Sequence, residues 1–139
     1  MHILLIEDNP GDVRLLREAL REKAVSFQVS VVEDGDQALA FLRREGEYAH
    51  TSRPDLILLD LNLPKTDGRV VLQALRATPE WKSIPIMILT GVLQDADQQQ
   101  AAALEVERFL RKPVDLQEYL ALADDLTAWW EIRERSSRK

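Results

Sequence analysis

Asp55-Leu56-Ile57-Leu58-Leu59-Asp60 decides the fold: four consecutive aliphatic residues lie between two acids. A strand with no polar alternation is buried on both faces, which is the pattern of a parallel sheet covered by helices. Working outward, the same pattern recurs. Ile3-Leu4-Leu5-Ile6 is a short apolar run closed by Glu7-Asp8, and Ile84-Pro85-Ile86-Met87-Ile88-Leu89 closes on Thr90. Val106 to Leu110 predicts a fifth strand, closed by Lys112-Pro113. Phe27 to Val32 instead alternates Phe27, Val29 and Val31 with Gln28 and Ser30, as an outer strand with one less buried face does.

Helical spacing fills the intervals. Asn9-Pro10 supplies an N-cap and a first helical position, and Val13, Leu16 and Leu20 follow, which predicts a helix from about 10 to 23. Ala38, Leu39 and Leu42 mark a second helix ending near Gly46, followed by a polar loop from Glu47 to Pro54. A third helix opens at Val70, Val71 and Leu75 after the turn-rich loop Leu63-Pro64-Lys65-Thr66-Asp67-Gly68, and stops around Thr78-Pro79. Gln94 to Ala103 is a weakly amphipathic fourth. The fifth runs from about Leu116 to 133, with Leu116, Tyr119, Leu120, Ala123, Leu126 and Trp130 as its core stripe and Leu122, Trp129 and Ile132 on a neighbouring face. Arg133 to Lys139 reads as a polar tail. Five strand-helix alternations imply an α/β fold with helices on both faces of a parallel sheet.

The 139 residues fit one domain, carry 18 basic against 24 acidic side chains for a net charge of -6, and contain no cysteine. A disulfide framework, a thiolate metal site and a Cys nucleophile are excluded together. The acidic balance opposes nucleic acid as the main partner and favours a cation. The N-terminal apolar run is too short for a signal peptide or a membrane span, so the expected location is the cytoplasm.

Ligands of open parallel sheets sit beyond the carboxyl ends of the strands. Those ends carry Glu7 and Asp8, Asp60, Thr90 and Lys112, so three acids, a hydroxyl and an ammonium converge on one rim. Oxygen donors select a hard cation such as Mg2+. Asp60 is then placed as a nucleophile, with the cation and Lys112 neutralising an incoming phosphoryl group and Thr90 donating a hydrogen bond. Taken singly, each residue is weak: a lone Asp is more often a cap or a solvated acid. The order at successive strand ends, with Asp60, Thr90 and Lys112 following Asp8 at intervals of 52, 30 and 22 residues, makes the pattern specific. His2 and His50 have no partner pattern and read as surface or strand-start residues.

From Ile3 to about Leu126, this pattern resembles the receiver domain of two-component response regulators. The resemblance implies a flavodoxin-like receiver fold with strand order 2-1-3-4-5, a single receiver over 1–139, and Asp60 as acceptor of a phosphoryl group from a sensor histidine kinase. It implies Mg2+ held by Glu7, Asp8, Asp60 and the backbone carbonyl of Asn62. It implies a switch in which Thr90 moves and Phe109 turns inward, read out on the fourth helix, fifth strand and fifth helix, and it makes Pro113 a candidate for a cis peptide. Phe109 departs from the commoner Tyr, so switching there works through packing alone.

Asn9-Pro10-Gly11-Asp12, the Leu61-Asn62-Leu63-Pro64-Lys65 run and the aromatic-rich last helix resemble single-domain regulators that accompany bacterial phytochromes. This points to a light-sensing kinase as donor. The expected product is a signalling phosphoacceptor rather than an enzyme, acting as a homodimer through its fourth and fifth elements on an unknown downstream protein, with neither DNA nor membrane as partner. The rivals are a phosphohydrolase with an aspartyl nucleophile, disfavoured because Asn62 is an amide where a second acid is needed, and a phosphorylation-independent binding module.

Overall fold

The computed structural model describes residues 1–63, 65, 67–92 and 94–137. Pro64 and Thr66 of the turn-rich loop, and Arg138 and Lys139 of the expected tail, lie outside the described residues.

The strands are β1 (His2–Ile6), β2 (Gln28–Val32), β3 (Leu56–Asp60), β4 (Ile86–Thr90) and β5 (Arg108–Arg111). They form one parallel sheet in the order β2-β1-β3-β4-β5, as expected. The helices are α1 (Pro10–Arg21), α2 (Gly35–Arg43), α3 (Gly68–Ala77), α4 (Asp95–Ala103) and α5 (Leu116–Ser137). Every residue of β1, β3 and β4 is buried, because these strands have neighbours on both sides and helices on both faces.

Strand alternation divides the core in two. Leu4, Ile6, Ile57, Leu59, Ile86 and Ile88 pack against α2, α3 and α4 through Ala38, Phe41, Val71, Leu72, Leu75 and Ala101. Ile3, Leu5, Leu56, Leu58, Met87 and Leu89 pack against α1 and α5 through Leu16, Leu20, Tyr119, Leu122, Ala123 and Leu126. Each such side chain withdrawn from water contributes about 1.5–3 kcal/mol before the entropy of ordering is charged.

Several expectations need correction. The α2 helix ends at Arg43, short of Gly46, because Arg44 itself takes the left-handed conformation (φ 57°) while the Glu45 N–H bonds the Ala40 carbonyl at 3.0 Å. The polar loop that follows holds a short 3-10 turn, Gly46–Tyr48. The expected tail is helical as far as Ser137.

On α5 the buried stripe is Tyr119, Leu122, Ala123 and Leu126, and Leu116 is exposed. Because α5 packs against α1 as well as the sheet, its contact face is rotated toward Leu122. Trp129 is half-buried against that core with the Arg133 guanidinium 5.3 Å from its ring centre. Trp130 lines a recess with Pro54, Ile84 and Pro85 at the amino ends of the strands. His2 is buried, its ring nitrogens bonded to the hydroxyls of Ser30 (2.8 Å) and Ser52 (3.0 Å). His50 is exposed. The Lys112–Pro113 bond is trans, not the expected cis; trans is the form an X–Pro bond favours by about 0.5–1 kcal/mol.

Candidate functional site

The carboxyl ends of β1, β3 and β5 deliver their side chains to one cleft of about 410 Å3, lined by Asp8, Asn9, Pro10, Asp60, Asn62, Gly91 and Lys112. Asn9 shapes the entrance. Its side-chain oxygen accepts from the N–H groups of Gly11 (2.9 Å) and Asp12 (3.1 Å), with Pro10 in the first turn, so α1 starts immediately after the acidic pair. Opposite it, Gly68 opens α3 against the backbone of the third strand. A β-carbon there would stand 2.6 Å from the Asp60 carbonyl oxygen and 2.6 Å from the Leu61 α-carbon, so only glycine permits this approach.

Glu7 and Asp60 are almost wholly buried, at 4% and 5% exposure, while Asp8 is exposed. One carboxylate oxygen from each of Glu7, Asp8 and Asp60 lies within 4.8 Å of the others. All three are hard oxygen donors, and a divalent cation held on few carboxylates suits such a cluster. The Asn62 N–H donates to Asp60 Oδ1 at 2.9 Å, which turns the Asn62 peptide toward the same cleft.

The Lys112 ammonium sits among the acids. Its Nζ lies 2.5 Å from Glu7 Oε1, 3.0 Å from Asp12 Oδ2 and 3.2 Å from Asp60 Oδ2. Burial alone would lower its pKa, but the hydrogen bonds it donates to Glu7 and Asp12 and the charges of Asp60 and Glu7 outweigh burial and hold it above the ordinary lysine range. Burial pushes the Glu7 carboxyl up to about 7, with the Asp60 charge adding to the rise and Lys112 and the Asn9 N–H opposing it. One ammonium therefore serves three carboxylates, with Asp8 as a fourth acid nearby, and the cluster attracts further positive charge.

Glu7, Asp8, Asp60, Asn62 and Lys112 thus come together as expected. Thr90 does not join them. Its buried hydroxyl donates to the Val92 carbonyl at 3.1 Å. The reason is strand parity: Thr90 follows Ile86 and Ile88 on the α3/α4 face, whereas Asp60 follows Leu56 and Leu58 on the α1/α5 face. Phe109 pairs in register with Ile88 and packs half-buried on the same face as Thr90.

Residues missed from the sequence are Asp12, its partner Tyr119, and the pair Arg69–Asp97, whose four atoms meet in two bonds of 2.6 Å. Asp12 falls in the first turn of the helix that Asn9-Pro10 opens just after the acidic pair, which was the available signal. Tyr119 and Asp97 gave none, because their partners come from distant elements.

Fold and rim together define an α/β domain with an acidic, lysine-bearing cleft at the carboxyl ends of its strands, and comparison with known proteins names the class. The response regulator receiver domain family matches residues 3–124, so the chain belongs to that family. The response regulator Rcp1 of Synechocystis sp. is 38% identical over 128 residues, covering 92% of this chain and 87% of its own. The solved phosphorylated cyanobacterial phytochrome response regulator RcpA is 43% identical with a TM-score of 0.86, covering 93% of this chain and 92% of that one. The Mn2+-bound form of Rcp1 superimposes with a TM-score of 0.85 at 38% identity, covering 93% of each chain. The bacteriophytochrome response regulator RtBRR follows at 39% identity and a TM-score of 0.75, over 90% of this chain and 76% of that one. The chain is a receiver-domain response regulator of two-component signalling, similar to single-domain phytochrome regulators.

Proposed function

We propose that Asp60 accepts a phosphoryl group from a sensor histidine kinase and that the added charge is read out on the α4–β5–α5 surface. The observation that carries this reading is the meeting of Asp60 with Glu7, Asp8 and Lys112 in one cleft, with Lys112 Nζ 3.2 Å from the Asp60 carboxylate. An Asp60 oxygen attacks phosphorus while the bond from phosphorus to the kinase imidazole breaks; its electron pair stays on the imidazole nitrogen, which takes a proton from solvent. Lys112 offsets the negative charge gathering on the phosphoryl oxygens. Glu7, Asp8, Asp60 and the Asn62 carbonyl would hold Mg2+, which when bound supplies further positive charge to those oxygens.

Thr90 and Phe109 share a sheet face, which supports their acting as one switch: a Thr90 hydroxyl drawn from Val92 toward the phosphoryl group vacates space that the Phe109 ring enters. The apolar side chains of Val114 and Leu116, where β5 leads into α5, stay exposed, and this supports a homodimer through α4–β5–α5. The phytochrome regulators among the relatives support a light-sensing kinase as donor. Among the described residues no helix is long and apolar enough to cross a membrane, which suits a cytoplasmic partner for such a kinase.

Incubation with Mg2+ and acetyl phosphate tests the chemistry. One phosphoryl group per chain, absent in Asp60→Asn, is the expected result; turnover of many donor molecules per chain would indicate a phosphohydrolase, and no labelling a binding module. Transfer from a phytochrome kinase, with failure from unrelated kinases, tests the donor. Sedimentation of the beryllofluoride-treated protein tests the dimer, and a monomer at high concentration rejects it.

A further inference from the structure

Lys112 has three N–H donors, and three carboxylates surround them. Two of these acids, Glu7 and Asp60, belong to the cation cluster, and Asp60 is the acceptor itself. Both change partners when a cation and a phosphoryl group arrive. Asp12 lies outside the Glu7–Asp8–Asp60 cluster and keeps its oxygen 3.0 Å from Nζ, so it can hold the ammonium through the whole cycle. It is well fixed for that purpose. Its backbone N–H is capped by Asn9, and it stands in the first turn of α1, where the helix favours an anion.

Asp12 is itself held. The Tyr119 phenol stands beside Asp12, and burial together with that acid's charge raises it above its ordinary range. Tyr119 is 2% exposed, and its ring is part of the core between α1, α5 and the sheet. The packing of α5 against α1 and the sheet therefore sets where the phenol stands beside Asp12.

We propose that Asp12 is a positioning residue for Lys112 and that Tyr119 fixes Asp12, so that the seat of α5 sets where the ammonium stands beside Asp60. This gives the acceptor a second connection to the readout surface, on the opposite sheet face from Thr90 and Phe109. The inference rests on phosphoryl acceptance at Asp60.

Labelling rates with phosphoramidate and Mg2+ test it, with Mg2+ affinity measured by calorimetry. Asp12→Asn keeps the side-chain shape and is expected to slow labelling about tenfold, the scale seen when a partner that orients a reactive-site ligand is lost. Mg2+ affinity should stay within about twofold, because Asp12 stands outside the cation cluster, and Asp12→Glu should recover part of the rate. Tyr119→Phe keeps the ring and should slow labelling by a smaller factor. The double variant Asp12→Asn/Tyr119→Phe should be no slower than Asp12→Asn alone, since the hydroxyl acts through the acid. Labelling of Asp12→Asn at the wild-type rate, losses that multiply in the double variant, or a parallel fall in Mg2+ affinity would each overturn the inference while leaving phosphoryl acceptance intact. Absence of labelling in the wild type would overturn both.

Discussion

At the scale of single residues, Gly68 and His2 show how little freedom the chain has around its sheet. Adding a methyl at Gly68 forces it to within 2.6 Å of the Asp60 carbonyl oxygen, so the backbone must move. Gly68→Ala should cost roughly 1–3 kcal/mol in a urea melt, the usual range for overpacking, and should slow labelling at Asp60, whose backbone it displaces. His2 carries a pH dependence of definite sign. Burial lowers its pKa below the usual 6.5, so the neutral ring belongs to the folded state and the charged ring to the unfolded one. Its stabilisation is complete above 6.5 and is lost as pH falls through the lowered value. His2→Gln removes the titration, so stability measured at pH 7.5 and 5.5 should fall less in the variant than in the wild type.

At the scale of elements, α2 and α4 end alike and against ordinary preference. Arg44 and Glu105 both take φ 57°, and the residue after each bonds back to the helix, Glu45 to Ala40 (3.0 Å) and Val106 to Ala101 (3.1 Å). A side chain in that conformation costs about 1–2 kcal/mol. Arg44→Gly and Glu105→Gly should each raise stability by about 0.5–1 kcal/mol, part of the relief being returned to the looser unfolded chain. The α4 helix has few apolar contacts of its own and is tied to α3 by Arg69, whose guanidinium grips the buried Asp97 in two bonds. Asp97→Asn should cost about 1–3 kcal/mol, and amide exchange should quicken in α4 before the rest of the molecule. Uniform acceleration across the sheet would show that the clamp is not local. The ends of these elements were only partly legible in the sequence. Gly46 drew the predicted end of α2, and hydrogen bonds available to Arg44 ended the helix earlier.

At the scale of the whole molecule, the acids that crowd the rim make the fold responsive to cations. Glu7, Asp8 and Asp60 converge with a single ammonium among them, so divalent cation bound to the native state alone should stabilise it. At a hundredfold excess over Kd the gain is about 2.7 kcal/mol, several degrees in a thermal melt, and Asp8→Asn should remove most of it without disturbing the core, because Asp8 is exposed.

The sequence by itself determined the parallel α/β sheet, since unbroken aliphatic runs such as Leu56 to Leu59 can be satisfied only with both faces covered. It also determined the acids and lysine of the rim, because residues at strand ends are brought together by any parallel sheet. Only the tertiary structure decided that Thr90 faces away from Asp60, that α5 buries Leu122 in place of Leu116, and that Asp12 and Tyr119 stand behind Lys112. Those outcomes depend on strand parity, on the rotation of a helix against α1, and on contacts between α1, β5 and α5. Residues more than 100 positions apart meet there, as Asp12 and Tyr119 do, and no local pattern encodes such a meeting.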